Sequence, residues 1–392
     1  MKDALIIAGA RTPIGDFGGQ FKDLLANELA VAAVKEAIKR AGVTPEMVEE
    51  VILGNCVQRT DEPNLGRTVA LRAGMPKETT GFTIQRQCSS GMQAVVSACQ
   101  EVMLGDAEIV VAGGAESMSS APYVLKGARW GQRLQHGQFT DGLWELLTDP
   151  IHQILMGVTA ENLAKKYAIT REEQDIVALR SHTNANRASK DGTFSEEIAP
   201  VSIPGRKGEV KQVETDEHIR PDLTMEKLSK LPPAFRENGT VTAGNASGLN
   251  DGAAAMVIMS EDKAAELGAR PMGRLVSYAW AGVEPELMGY GPVPATEKAL
   301  QKAGLTLGNI DLMEVNEAFA AQYLACEKLL NLNRDIVNVN GSGVGLGHPV
   351  GCTGARIILT LLYELRRRQK RYGLATLCVG GGMGMAVIVE RL

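Results

Sequence analysis

Residues 88–118, CSSGMQAVVSACQEVMLGDAEIVVAGGAESM, and residues 351–385, GCTGARIILTLLYELRRRQKRYGLATLCVGGGMGM, carry the same features in the same order. Each has a glycine-containing turn, a stretch with helical spacing, a further turn, a β-type run and a double glycine. Ser90-Gly91 aligns with Thr353-Gly354, and Val111-Ala112-Gly113-Gly114 aligns with Cys378-Val379-Gly380-Gly381. Any two αβ units look somewhat alike, but several matched features favour an internal duplication. Two similar halves packed together bring equivalent strand ends close to each other.

Outward from the repeat, strand and helix patterns alternate. LIIAGA reads as a first strand, LLANELAVAAVKEAIKRAG as a helix ended by Gly42, and VEEVILGNC as the next strand. Such alternation predicts an α/β fold with a largely buried sheet. The region 119–249 breaks the pattern. It holds WGQRLQHGQF, a polar helix over about Thr170 to Ala188, and the basic piece Gly205-Arg206-Lys207-Gly208. It reads as an insertion over one face of the core, suited to binding or oligomer contacts. The expected division is 1–118 as one half, completed by about 250–270, 119–249 as the inserted loop domain, and 271–392 as the second half.

The 392 residues exceed one ordinary core, and 44% are hydrophobic. A net charge of −5 argues against a general nucleic-acid or anionic-membrane binder. The apolar run Ala4 to Ala10 is too short to span a membrane and lacks a cleavage pattern, and the end Glu390-Arg391-Leu392 is not a peroxisomal address. Six scattered cysteines suit a reducing compartment better than a disulfide framework, so a cytoplasmic location is expected. Without a CxxC or HExxH pair, no metal site is expected. GSGVGLG at 341–347 fails GxGxxG in both registers, because Leu346 or His348 falls where the last glycine belongs. A P-loop is absent too.

Four places could carry chemistry. Cys88, in IQRQCSSGMQAV, precedes a helix starting near Ser89. Free N–H groups and the dipole at a helix start lower a thiol pKa, which would make Cys88 a nucleophile; a buried structural cysteine is the alternative. Cys99, further along the same helix, fits that alternative. His348, in GLGHPVGCTG, is one of five histidines, held on a glycine-rich turn. It is either the base for a thiol or a hydrogen-bonded structural histidine. Cys378 ends a β run beside glycines that leave N–H groups for an oxyanion, or is a core strand residue. Asn316, in EVNEAFAAQ, is either a helix N-cap or a group holding a water or carbonyl oxygen.

These residues stand in a set of motifs, ARTPIGDFGG, RQCSSGMQAV, GGAESMS, GTVTAGNASGLNDGAAA, NEAFAAQ, GLGHPVGCTGARI and LCVGGGMG, that spans essentially the whole chain. In this the chain resembles the thiolases, the acyl-CoA:acetyl-CoA C-acyltransferases. The resemblance implies a five-layered αβαβα fold of two similar halves with an inserted loop domain. It implies Cys88 as the nucleophile, His348 as the base drawing off its proton, and Cys378 as the second acid/base, acting on the acetyl methyl carbon. Asn316 would hold a water that with His348 forms one oxyanion hole; the N–H groups of Cys88 and Gly380 would form the other. Coenzyme A and acetyl-CoA would be substrates, with no tightly bound cofactor. Ser247 is matched to the pantetheine amide and Arg220 to the nucleotide end. Phe235, Leu249, Met156, Met288 and Phe319 would line the pantetheine tunnel or acyl pocket. A homo-oligomer, dimer or tetramer, is implied.

Two departures bear on substrate range. Short-chain biosynthetic thiolases often carry His-Met-Gly where this chain has Leu155-Met156-Gly157, and Cys-Gly-Ser-Gly where it has Cys88-Ser89-Ser90-Gly91. The latter looks like broad-range 3-ketoacyl-CoA thiolases, whereas the C-terminal half and loop length look like acetoacetyl-CoA thiolases. The expectation leans to the broader range. A non-catalytic acyl-CoA- or lipid-binding protein of the same fold is disfavoured by the retained Cys88, Asn316, His348 and Cys378. Ketoacyl synthase-like condensing enzymes lack the second cysteine.

Overall fold

The computed structural model describes residues 3–205 and 209–392; the Arg206-Lys207-Gly208 part of the basic piece lies outside the described residues. In chain order the main elements are β1 (Ala4–Arg11), α1 (Ala26–Ala41), β2 (Glu50–Gly54), α2 (Leu65–Arg72), β3 (Thr80–Ile84), α3 (Ser90–Leu104) and β4 (Ile109–Ser117). After a long excursion come α4 (Met156–Lys166), α5 (Arg171–Lys190), β5 (Asn250–Ser260), β6 (Gly273–Gly282), α6 (Pro292–Ala303), β7 (Leu312–Val315), α7 (Ala320–Leu330), α8 (Val350–Arg368), β8 (Tyr372–Val379) and β9 (Met383–Arg391).

The pairing repeats between the halves. β2 pairs β4 parallel, β4 pairs β5 antiparallel, and β5 pairs β1 antiparallel. In the second half β7 pairs β8 parallel, β8 pairs β9 antiparallel, and β9 pairs β6 antiparallel. Even the edge recurs: β3 lies parallel to β2, and Val337 makes a parallel bridge to Met313 of β7. A short pairing, Leu5 with Arg274 and Ile6 with Gly273, joins the two sheets.

Alternation along the strands assigns the layers. In β1, Ala4 and Ile6 face a core shared with α3 and α8, while Leu5 and Ile7 face α1. In β8, Ala375, Leu377 and Val379 face the α3/α8 layer, while Leu374 and Cys378 face the core under α6 and α7. Helices α3 and α8 thus form the middle of an αβαβα stack, and both sheets are covered on both faces. This explains why their strands read as nearly unbroken apolar runs. Helix α1 places Leu29, Ala33, Val34, Ala37 and Ile38 on one buried face and ends at Gly42, whose φ of 69° is the left-handed C-cap conformation. Burying each large side chain of that stripe contributes about 1.5–3 kcal/mol.

One feature of the repeat differs. Gly113 and Gly114 lie inside β4, whereas Gly380, Gly381 and Gly382 form the turn from β8 to β9. That turn occupies the place of the whole 119–249 excursion in the first half. The excursion contains two short hairpins, 123–125 with 139–141 and 201–204 with 210–213, besides α4 and α5. Thr170 caps α5 through a reciprocal bond with Glu173. Among the described residues no helix is long and apolar enough to cross a membrane, and no group of three or more His, Cys, Asp or Glu could hold a metal.

Candidate active site

The N-termini of α3 and α8 meet where the two sheets present their strand ends. Glycine makes that approach possible. A Cβ on Gly114 would stand 2.1 Å from the Gly351 carbonyl oxygen, and one on Gly354 would stand 2.5 Å from the Met92 nitrogen. Cys88 enters from the α3 side and His348 from the link before α8. Cys378 enters from the end of β8. All three line one cavity of about 570 Å³.

Cys88 precedes α3 by two residues, after Gln87, whose φ of +44° places a non-glycine residue in the left-handed region. The N–H groups of Gly380 and of Cys88 itself face the sulfur. Burial nevertheless pushes the thiol up to about 11, against the lowering by those two N–H groups. This corrects the expectation that the helix start lowers the thiol pKa: desolvation wins, and the thiol needs a base.

His348, on the glycine-rich turn, is buried, and burial followed by the Arg356 charge lowers its pKa to about 3. It is a neutral imidazole. Its Nδ1 lies 2.7 Å from the Thr353 hydroxyl oxygen, and that hydroxyl donates to the Pro349 carbonyl at 3.0 Å. The oxygen therefore accepts from Nδ1–H, which leaves Nε2 with the lone pair. The His348 backbone N–H donates to Asn250 Oδ1 at 2.8 Å. Proton transfer from Cys88 to Nε2 would place opposite charges on the walls of one cavity, where their attraction offsets the desolvation each would meet alone.

Cys378 is a neutral thiol, raised well above the ordinary range by burial and then by the charge of a Cys88 thiolate. The two sulfurs thus disfavour simultaneous ionisation, which suits one nucleophile and one proton donor. Asn316 follows β7, and α7 begins only at Ala320 with Phe319 as its N-cap, so Asn316 is not a cap. Its Nδ2 lies 3.5 Å from both ring nitrogens of His348, and its buried Oδ1 has no partner among the described residues. Gly380 is not held to glycine by its backbone; the positive φ values belong to Gly381 and Gly382.

Ser247, Phe235, Leu249, Met156, Met288 and Phe319 all line the same cavity. The rings of Phe235 and Phe319 meet edge to face at 5.9 Å. Arg220 is not in the lining: its exposed guanidinium pairs with Asp16 at 3.1 Å. Cys99 is fully buried in the central core. Sequence reasoning missed Thr353, Leu143, Trp144 and Leu147, and the buried Glu116. The Glu116 carboxylate accepts from Asn55 Nδ2 and from the N–H groups of Cys56, Val57 and Gly351, tying the two halves together. The duplication held a signal for Thr353, since it aligns with Ser90 beside the candidate nucleophile.

The thiolase N-terminal domain pattern matches residues 4–262 and the thiolase C-terminal domain pattern residues 269–391. An acetyl-CoA acetyltransferase of Syntrophomonas wolfei is 50% identical over the full length of both chains. The crystal structure of the Bacillus anthracis acetyl-CoA acetyltransferase superimposes with a TM-score of 0.98 at 59% identity, covering 100% of this chain and 99% of that one. Human mitochondrial 3-ketoacyl-CoA thiolase in complex with CoA gives 0.96 at 47% identity, covering 100% and 98%. With both halves matched by its domain patterns, and with relatives aligned end to end, the chain belongs to the thiolase family of acyltransferases.

Proposed function

We propose that the chain transfers acyl groups reversibly between coenzyme A and acetyl-CoA, by thiolysis of 3-ketoacyl-CoA or by Claisen condensation, through an S-acyl Cys88. The observation that carries this is the convergence of Cys88, His348 and Cys378 on one cavity from both halves of the duplication. In thiolysis His348 Nε2 takes the Cys88 proton and the sulfur attacks the 3-keto carbon. The adjacent C–C bond breaks, and Cys378 protonates the departing acetyl-CoA carbanion. Coenzyme A, its thiol proton taken by Cys378, then accepts the acyl group from sulfur. One oxyanion is held by the Cys88 and Gly380 N–H groups, the other by His348 and an Asn316-held water.

Coenzyme A is read here as a substrate, with its pantetheine along Ser247, Phe235 and Leu249. Arg220, outside the cavity, is placed toward the nucleotide end. The segment 119–249 is read as the coenzyme-binding and oligomer-forming part. Its hairpin arm exposes Tyr123, Leu125, Trp130, Leu134 and Phe139, more apolar surface than a monomer commonly leaves in water, which supports a homo-oligomer. Six unpaired cysteines support a reducing, cytoplasmic location.

Incubation with radiolabelled acetyl-CoA tests the assignment. Label should sit on Cys88 and vanish in Cys88→Ala. Cys378→Ala should still take label but lose C–C bond turnover. Label persisting in Cys88→Ala, or full thiolysis by Cys378→Ala, refutes the roles.

A further inference from the structure

The Gln87 carbonyl, one bond from the Cys88 nitrogen, is held by three donors. The Ser90 N–H reaches it at 2.9 Å, the Ser90 hydroxyl at 2.6 Å and the Cys56 thiol at 3.0 Å. The Ser90 hydroxyl also accepts from the Arg86 N–H at 2.8 Å, so it clasps both the 85–86 and the 87–88 peptides of the turn. Cys56 is itself fixed, because its N–H donates to Glu116 at 2.9 Å. Ser90 is fully buried and Cys56 nearly so.

In a trans peptide the carbonyl and the following N–H point in opposite directions. Holding the Gln87 oxygen back toward Ser90 and Cys56 therefore turns the Cys88 N–H the other way, toward its own sulfur and the cavity. The left-handed φ at Gln87 is a costly conformation for a non-glycine residue, and the clasp supplies what holds it. Ordinary helix starts use a side chain to cap N–H groups, but Ser89, in the cap position, makes no such bond. The hydroxyl at this helix start is spent on a carbonyl instead.

We propose that Ser90 and Cys56 are positioning residues for the acyl-transfer reaction: they clamp the Gln87 carbonyl and so aim the Cys88 N–H as an oxyanion donor. The duplication reinforces the point. Thr353, aligned with Ser90, likewise donates to a carbonyl at the start of its helix and orients a reacting group, the His348 ring. Equivalent hydroxyls at equivalent helix starts set the direction of the two halves of one site. The inference rests on Cys88 being the acylated residue.

The test compares two reactions of the same sulfur in the full-length protein. Acylation by acetyl-CoA develops an oxyanion and needs the aimed N–H; alkylation by iodoacetamide displaces iodide and develops none. Single-turnover acylation of Ser90→Ala and Cys56→Val should fall about tenfold or more, short of the ~10²–10³-fold that follows loss of a whole donor. Alkylation of Cys88, read by peptide mass spectrometry, should fall far less than acylation, and the dissociation constant for coenzyme A should keep its wild-type value. Cys56→Ser, which restores a donor, should recover acylation. Should Ser90→Ala not fold, Cys56→Val and Cys56→Ser carry the comparison alone. Unchanged acylation in the variants overturns the proposal, as does a parallel fall of acylation and alkylation, or a failure of Cys56→Ser to recover. Absence of acyl-Cys88 in the wild type would remove the nucleophile assignment itself.

Discussion

Replacing Thr353 with valine keeps the shape of the side chain and removes the oxygen that accepts the His348 Nδ1–H at 2.7 Å. The buried ring then has two choices. It can keep the Nδ1–H tautomer and leave that donor without a partner, at about 1–3 kcal/mol. Or it can move the proton to Nε2, which abolishes the lone pair that the proposed proton transfer from Cys88 uses. Either way the base-competent form becomes less populated, and 1–3 kcal/mol corresponds to a rate about 5- to 150-fold lower. The assay is single-turnover release of coenzyme A from acetyl-CoA, scaled to folded protein by circular dichroism. Thr353→Ser, which keeps the hydroxyl, should retain most of the rate. A Thr353→Val protein that acylates as fast as the wild type would refute the tautomer argument, since no other described side chain accepts from Nδ1.

Three more outcomes follow from the charges and the cavity. His348 and His182 are both held near pKa 3, below the ordinary 6.5, by burial. The unfolded chain binds more protons in that interval, so stability should fall as pH drops from about 6.5 toward 3; urea midpoints of His348→Gln should fall less steeply than those of the wild type. At the other end, Cys88 is raised from 9.0 to about 11, so its contribution should be lost as pH rises through that interval, and Cys88→Ala should show a flatter alkaline limb. The cavity of about 570 Å³ is walled in part by the apolar side chains of Leu143, Leu147, Leu155 and Met288. Thiolysis rates on 3-ketoacyl-CoAs should therefore stay substantial above four carbons, and activity confined to acetoacetyl-CoA would refute the broader range.

The strands and helices were legible because each sheet face and helix stripe is apolar at its own period. Leu5 and Ile7 against Ala4 and Ile6 is the pattern in four residues. The internal repeat was legible as well, and the pairing of its four main strands recurs, with the edge strand β3 answered by a single bridge at Val337. Ionisation was not. A helix start reads as a place that lowers a thiol pKa, yet Cys88 is raised, because the surroundings that desolvate it come from β8, α8 and the excursion near Met118. Asn316 looked as much like a helix cap as a site residue, because the start of α7 depends on where the chain leaves β7.

What the sequence by itself determined is the inventory and the order: two copies of one αβ pattern, an insertion in the first, and a cysteine or histidine at each critical turn. Local period and turn chemistry are properties of neighbouring residues, so they survive in one dimension. Only the tertiary structure decided which of these turns meet. Gly114 and Gly354, unremarkable in the chain, let two helix ends approach at backbone distance. That contact encloses the sulfur and imidazole together, and burial is what sets their protonation states and leaves a neutral base opposite a neutral thiol.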